Sequence, residues 1–149
     1  RPGLMLYGLS PFPSGTGAEF GLRPAMSLQS EVIAVKPVRA GETVGYGAAW
    51  RAERDTRLAV IAAGYGDGYP RSTASGAPVQ VNGRRAPLVG RVSMDMITVD
   101  VTDLPAVSVG DPVVLWGEGV PAEEIAQHAG TIAYELICGV SQRVAQEFR

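Results

Sequence analysis

The sequence predicts a mostly β-stranded protein, folded as a compact Greek-key sheet or small barrel-like domain with one or two short helices. The first observation is turn content, because 19 Gly and 11 Pro are spread along the 149 residues. The second is that short apolar runs are each closed by turn residues, while helical periodicity is rare. Many short strands with few helices favour a sheet or barrel over a layout of alternating strands and helices.

The N-terminal segment predicts a strand followed by a linker. Residues 1–8 form an apolar run without a polar or capping lead-in, so we expect this strand to belong to a structure that begins upstream of Arg1. Residues 9–24 are rich in Ser, Pro and Gly, which is typical of a surface loop between structured parts. We therefore place a domain boundary there, with residues 1–24 on one side and 25–149 on the other.

Short apolar runs with turn residues between them predict the strands of the second part. These segments are 28–38, 57–63, 78–81, 84–88, 97–101 and 112–116, with 143–148 as a closing strand. Asn82 and Gly83 lie between two of them and predict a tight hairpin, because both residues accept the positive φ of a type I′ turn.

Two segments predict helices near the C-terminus. Residues 121–129 begin with Pro, carry Glu123 and Glu124 in the first turn, and are followed by Gly130 as a stop. A second short helix is predicted to begin with Thr131 as its N-cap.

Charge and hydropathy exclude several functional classes. The net charge is −2 and the 13 basic residues form no run, so no nucleic-acid partner is expected. No apolar stretch approaches the roughly 18 residues of a membrane span, and no leader is visible, so we expect a soluble, cytoplasmic protein without a membrane partner. The single cysteine, Cys138, lies in an apolar run and is predicted to be a buried thiol.

Common catalytic patterns are absent from the sequence. With one His, one Cys and no paired ligand spacing, no metal site is expected. Neither a Gly-x-Ser-x-Gly elbow nor a Gly-x-Gly-x-x-Gly loop occurs. His128 is interpreted as a capping residue, because a positive charge interacts favourably with the C-terminal end of a helix. Lys36 is interpreted as a solvent-facing residue of a strand.

Three glycine-rich or mixed motifs could carry chemistry, although each alone favours a structural interpretation. Residues 64–71 hold three glycines and two tyrosines, which suits a tight turn whose tyrosines cover the end of the sheet. Tyr46 lies between two glycines, as a hairpin tyrosine would. Residues 90–96 suit a surface pair of Arg91 and Asp95 over a core methionine.

Taken together, five segments closely resemble alanine racemases, in the same order and over the whole chain. The fifth is the tyrosine-containing segment that begins the second predicted helix. The five are residues 1–8, 38–47, 64–71, 90–96 and 131–135.

The resemblance implies a pyridoxal phosphate (PLP) enzyme that interconverts L-alanine and D-alanine for peptidoglycan synthesis in the cell wall. In that family a PLP-bearing (β/α)8 barrel precedes a β-rich domain, and two chains form a homodimer with shared active sites. Residues 1–24 then correspond to the last barrel strand and linker, and residues 25–149 to the C-terminal β-domain. The family's cofactor-binding lysine, its histidine and its carboxylate-binding arginine belong to the barrel, outside this sequence, so we expect this chain alone to be inactive.

Motif positions in the family imply a role for each site residue. The resemblance implies that PLP is held by Arg1, Gly3, Leu4 and Tyr134, and that the catalytic base is Tyr46. It also implies that the substrate-binding residues are Met94 and Tyr65, and that the entrance channel is lined by Arg91 and Asp95.

These residue types suit racemisation, which needs one base on each face of the substrate Cα. A tyrosine titrates near pKa ~10, so its use as a base requires neighbouring positive charge or hydrogen-bond donors. An arginine beside the pyridine nitrogen keeps its own proton, which favours racemisation over transamination. Two alternatives remain: a broad-specificity or serine racemase on the same scaffold, and a non-catalytic β-domain that serves association.

Overall fold

Short apolar and β-branched runs pair in antiparallel fashion to build a closed barrel in the computed structural model, which describes residues 1–148. The strands are β1 (Leu28–Val38), β2 (Thr43–Val44), β3 (Trp50–Arg51), β4 (Thr56–Ile61), β5 (Pro78–Val81), β6 (Arg84–Val89), β7 (Ile97–Asp100) and β8 (Pro112–Trp116). The helices are α1 (Ala122–Ala129) and α2 (Ala133–Gly139). Six strands close the barrel in the order β1-β4-β7-β6-β5-β8, while β2 and β3 form a separate two-stranded sheet.

Strand β1 closes the barrel because it pairs with two different neighbours along its 11 residues. Residues 28–31 pair with β8, and residues 32–38 pair with β4. The register shifts between Val32 and Ala34, which marks a bulge at this changeover. A bulge increases local twist and bends the strand, as closure of a small barrel requires.

The barrel interior is filled by alternate residues of the strands, as the two-residue period of a strand dictates. Ile61, Val79, Leu88, Val99 and Leu115 are fully buried and belong to one continuous core. The two helices cover this core with inward-facing apolar side chains, among them Ile125 of α1 and Leu136 of α2.

The predicted fold class is confirmed, and the six predicted segments between residues 28 and 116 all form strands, with ends that shift by at most two residues. Asn82 and Gly83 have φ values of 49° and 76°, as a type I′ hairpin requires. Both predicted helices are present, although α2 begins after Ile132, and the Thr131 hydroxyl donates to the side chain of Glu135. Within residues 1–148, no helix has both the length and the apolar character needed to cross a membrane.

The prediction of a strand over residues 1–8 is wrong, because Gly3–Tyr7 forms a 3₁₀ helix. Pro2 has helical backbone angles, and Gly8 ends the turn in the left-handed conformation with φ 77°. No strand within residues 1–148 pairs with this segment, and the Met5 and Gly8 amides donate to the nearby carbonyls of Pro2 and Met5 instead.

The closing strand predicted over residues 143–148 is also absent. A closed barrel has no free edge to which a seventh strand could add. Arg143 instead turns its side chain toward two loops of the barrel, where it forms ion pairs with Asp67 and Asp95.

Cys138 is exposed, which corrects the prediction of a buried thiol. Helix α2 buries Ala133 and Leu136, and Ile137 and Val140 pack partly against the core. Cys138 lies two positions after Leu136, about 200° around the helix, and therefore on the opposite face.

The barrel core makes a stability prediction. Val99 is fully buried between β4 and β6, whereas Val109 is 67% exposed. We expect Val99→Ala to lower the free energy of unfolding by about 2 kcal/mol, through lost burial and the cavity left behind. Val109→Ala, the same chemical change at the surface, should shift it by less than about 0.5 kcal/mol. Chemical denaturation of both variants checks this, and equal losses would contradict it.

Candidate functional site

The first group of predicted site residues lies in one cleft near the N-terminus. Arg1, Gly3, Leu4 and Tyr134 all line this N-terminal cleft, which has a volume of about 520 Å³. The contact between the two ends of the chain is close, since a Cβ built on Gly3 would lie 2.8 Å from the Tyr134 hydroxyl. The structure therefore brings together four residues that are separated by up to 133 positions in the sequence.

Glu123 of helix α1 anchors the N-terminal segment beside this cleft. Its carboxylate accepts hydrogen bonds from the backbone amides of Ser10, at 2.8 Å, and Gly17, at 2.9 Å. Residues 17–20 form a short 3₁₀ helix, which begins with a capping box between Thr16 and Glu19. The segment predicted as a linker is thus held against the β-domain by specific hydrogen bonds.

The N-terminal cleft offers hydrogen-bond donors suited to an anionic group. Within residues 1–148, the amides of Gly3 and Leu4 donate to no protein acceptor. The Tyr134 hydroxyl and the Arg1 guanidinium add two further donor side chains along the same cleft. Amides, a hydroxyl and a guanidinium are the groups that commonly bind phosphate oxygens, so these residues fit a phosphorylated cofactor.

The second group of predicted site residues lies on a different surface, which we call the tyrosine face. It consists of the five residues Tyr46, Tyr65, Arg91, Met94 and Asp95, none of which lines the N-terminal cleft. All five are exposed. Both groups therefore sit on one chain but open onto separate surfaces.

Tyr46 is presented by the connection between β2 and β3. It begins a single 3₁₀ turn, Tyr46–Ala48, and its side chain is 70% exposed. Gly45 and Gly47 on either side have positive φ values of 83° and 69°. A Cβ on Gly47 would lie 3.7 Å from the Arg91 Nη1 atom, so the Arg91 guanidinium lies beside this turn.

The glycines of residues 64–68 allow backbone to lie directly against backbone. A Cβ on Gly64 would lie 2.2 Å from the Ser93 carbonyl oxygen, and a Cβ on Gly68 would lie 2.4 Å from the Gly139 carbonyl oxygen. In the space left free, the Tyr65 amide donates to the Ser93 carbonyl at 3.0 Å. This loop is therefore packed between the turn that carries Met94 and the end of helix α2.

The two tyrosines of this loop have different surroundings. Tyr65 is exposed on the tyrosine face, whereas Tyr69 is completely buried in the core. Burial raises the pKa of Tyr69 well above its ordinary value, so its hydroxyl stays neutral. Tyr69 is therefore a structural residue of the core.

The surface pair of Arg91 and Asp95 over a core methionine is not formed. Asp95 pairs with Arg143 instead, at 2.7 Å. Met94 is 50% exposed and Met96 is exposed as well, so neither belongs to the core. In the turn of residues 93–96, the side chains of residues 94–96 are exposed, while the carbonyl oxygens of Ser93 and Met94 accept hydrogen bonds from the neighbouring loop.

Arg143 is the site residue that sequence reasoning missed. Its Nε donates to Asp67 Oδ1 at 2.8 Å, and its Nη2 donates to Asp95 Oδ1 at 2.7 Å. These hydrogen bonds raise the pKa of the guanidinium further above its ordinary value. Its two partners lie 76 and 48 positions away, so no local pattern could reveal the contact.

Asp67 receives hydrogen bonds from two sides. Partial burial opposes its ionisation, but the hydrogen bonds from Arg143 and from the Gly64 amide outweigh this effect. The pKa of the Asp67 carboxyl therefore lies below its ordinary value. The carboxylate stays charged and holds the loop of residues 64–68 to the guanidinium.

The remaining candidates belong to neither group of residues. Lys36 is solvent-exposed on β1, as predicted, and His128 lies in the last turn of α1. Among the described residues, no three His, Cys, Asp or Glu side chains are grouped so that they could hold a metal ion.

Comparison with known sequences identifies close relatives. The family described as alanine racemase, C-terminal domain, matches residues 25–148. An alanine racemase of Vibrio vulnificus is 55% identical over 148 residues, which cover 99% of this chain and 41% of that protein. A biosynthetic alanine racemase of Escherichia coli is 58% identical over 149 residues, which cover 99% of this chain and 42% of that protein.

Comparison with solved structures gives the same result. The biosynthetic alanine racemase of Pseudomonas aeruginosa superimposes with a TM-score of 0.96 at 52% identity, over 99% of this chain and 41% of that one. The alanine racemase of Bartonella henselae with covalently bound pyridoxal phosphate superimposes with a TM-score of 0.83 at 34% identity, over 95% and 39%. The chain spans about two fifths of the length of these relatives. It therefore belongs to the alanine racemase family, of which it represents the C-terminal domain.

Proposed function

We propose that the full-length protein is an alanine racemase, which interconverts L-alanine and D-alanine, and that this chain supplies part of two active sites. One observation carries the proposal: the residues assigned to the cofactor meet in the N-terminal cleft, and those assigned to the substrate meet on the tyrosine face. Residues 1–24 would complete a cofactor-binding barrel, and residues 25–149 would form the domain that faces the substrate.

The N-terminal cleft would hold pyridoxal phosphate. Gly3 and Leu4 would donate their free amides to the phosphate, and Tyr134 would donate its hydroxyl. Arg1 would hydrogen-bond the pyridine nitrogen and keep its own proton there. When bound, the cofactor supplies the electron sink that makes the substrate Cα proton acidic. The Bartonella henselae relative, named with covalently bound pyridoxal phosphate, supports this assignment.

Tyr46 would act as the base on one face of the substrate. As the phenolate it would accept the Cα proton at its Oη atom, and as the phenol it would return a proton there in the reverse direction. Exposure of its side chain, at 70%, leaves the hydroxyl free to enter a site on another chain. Tyr65, Arg91, Met94 and Asp95 would form the wall and entrance of that site.

A two-fold dimer would make this arrangement reciprocal. Each chain would bind cofactor through its own N-terminal cleft and lend its tyrosine face to the partner's site. The separation of the two residue groups on one chain supports such sharing. The cleft of anion-binding donors also favours the racemase over a non-catalytic association domain, which would not require such a cleft.

Substrate range and cellular role complete the proposal. Alanine is the substrate expected from the relatives' names, and D-alanine would serve peptidoglycan synthesis in the cytoplasm. Assays of the full-length protein with alanine, serine and lysine separate an alanine racemase from a broad-specificity or serine racemase. Absence of activity with all three would favour the association domain.

Two tyrosine variants test the assigned roles. Tyr46→Phe in the full-length protein should abolish racemisation while pyridoxal phosphate stays bound, because the hydroxyl is a base and not an anchor. Tyr134→Phe should mainly weaken cofactor retention, by roughly the 1–3 kcal/mol of one charge-assisted hydrogen bond. Absorbance of bound cofactor after dialysis and racemisation rates give the two readouts. Equal cofactor loss in both variants would show that the roles are wrong.

Complementation between defective chains tests the shared site. A variant without the barrel lysine and a Tyr46→Phe variant should each be inactive. A mixed dimer would have one site with both defects and one site with neither. Activity should therefore return in proportion to the mixed dimer formed when subunits exchange. If exchange is verified and no activity returns, Tyr46 acts on the cofactor of its own chain.

A further inference from the structure

The turn of residues 93–96 is held by its carbonyl oxygens. The Ser93 carbonyl accepts from the Tyr65 amide at 3.0 Å, and the Met94 carbonyl accepts from the Gly66 amide at 2.8 Å. Two consecutive carbonyls of the turn thus point toward the loop of residues 64–68. This fixes the orientation of two consecutive peptide planes.

The amides of the same two peptides must face away from the loop. In a trans peptide the carbonyl and the N–H point in opposite directions, and the described residues contain no cis peptide. The N–H groups of Met94 and Asp95 therefore point outward on the tyrosine face. Neither amide donates to an acceptor within residues 1–148. Two adjacent amides without a protein acceptor are donors that an anionic group such as a carboxylate can accept from.

Arg143 ties this turn to the rest of the site. Its Nη2 donates to the Asp95 carboxylate at 2.7 Å and also approaches the Met94 carbonyl at 3.5 Å. Its Nε donates to Asp67, whose other carboxylate oxygen accepts from the Gly64 amide at 2.8 Å. One guanidinium therefore links the turn, the glycine loop and the segment that follows α2.

We propose that Arg143 is a positioning residue, which holds the 93–96 turn so that its outward amides can bind the carboxylate of an amino-acid substrate. The inference rests on the proposed function, and it concerns a residue that does not itself touch the substrate. The carboxylates of Asp67 and Asp95 hold its guanidinium in place. A planar guanidinium can bridge two carboxylates in this way, whereas the single ammonium of lysine cannot reproduce the fork.

Gly66 provides a way to displace the guanidinium without removing it. A Cβ on Gly66 would lie 2.7 Å from Arg143 Nη2 and 2.8 Å from its Cζ atom. The contacted atoms are at the end of a flexible side chain, so Gly66→Ala should move the guanidinium and leave the loop backbone in place. The variant therefore tests the position of Arg143 separately from its presence.

Kinetics of the full-length enzyme provide the functional readout. Arg143→Gln and Gly66→Ala should each raise KM for L-alanine about 10-fold or more, with bound pyridoxal phosphate unchanged and kcat within about 3-fold. An amide that binds the carboxylate equally in ground and transition states acts on KM. Arg143→Lys should fall between wild type and Arg143→Gln. Arg54→Gln, which breaks an exposed ion pair with Asp103 elsewhere on the domain, is the matched control and should change neither constant.

Hydrogen exchange supplies a readout that needs no activity. The amides of Tyr65 and Gly66 donate to the turn, so Arg143→Gln and Gly66→Ala should accelerate their exchange about 10-fold or more. Arg54→Gln should leave these two amides as in wild type. Unchanged KM overturns the positioning role, whether or not exchange accelerates, and so does a loss confined to kcat. A wild-type protein inactive toward alanine would refute the proposed function. Separately, unchanged exchange of these two amides in Arg143→Gln would show that Arg143 does not hold the turn.

Discussion

Pairing of strand β1 with two neighbours is the constraint on which the structure depends. Its first residues hydrogen-bond β8 and its last residues hydrogen-bond β4, so the sheet closes without a free edge. Closure fixes where every connection leaves the barrel. The loop of residues 64–68, the turn of residues 93–96 and helix α2 then meet at positions set by the strands that carry them.

At that meeting point, backbone atoms rather than side chains make the closest contacts. Gly64 and Gly68 let the loop approach the carbonyl oxygens of Ser93 and Gly139 at distances that a side chain would prevent. Hydrogen bonds between main-chain groups then set the spacing, and Arg143 adds ion pairs to Asp67 of the loop and Asp95 of the turn. The site is therefore rigid where it must be positioned, and its side chains remain free to face a ligand.

The strands were predicted well because burial inside a small barrel produces a pattern that can be read from each local stretch of sequence. Alternating apolar residues and turn residues marked each strand between residues 28 and 116, and Asn82-Gly83 fixed one hairpin. Residues 1–8 carry the same apolar signal but have no partner strand in the described chain, so periodicity alone misled there. A strand needs a neighbour, and the sequence of one segment does not contain that information.

The candidate site was predicted in a similarly uneven way. Motifs that resemble the family located residues of both surfaces, and the structure brings each group together from distant positions. Arg143 escaped detection because its function depends on two carboxylates that only the fold brings near it. Cys138 was misplaced because apolar neighbours in sequence do not share a face of a helix.

The close approach of Gly68 to Gly139 has a consequence for how this domain can be redesigned. Since main-chain atoms set the spacing there, the frame does not depend on which side chains project from it. Tyr65, Met94 and Met96 project outward from this frame, so libraries that vary their side chains can reshape this surface without altering the frame. The glycines at 64 and 68 are the positions to hold constant, because a methyl group at either one would push the loop away from the segment it contacts.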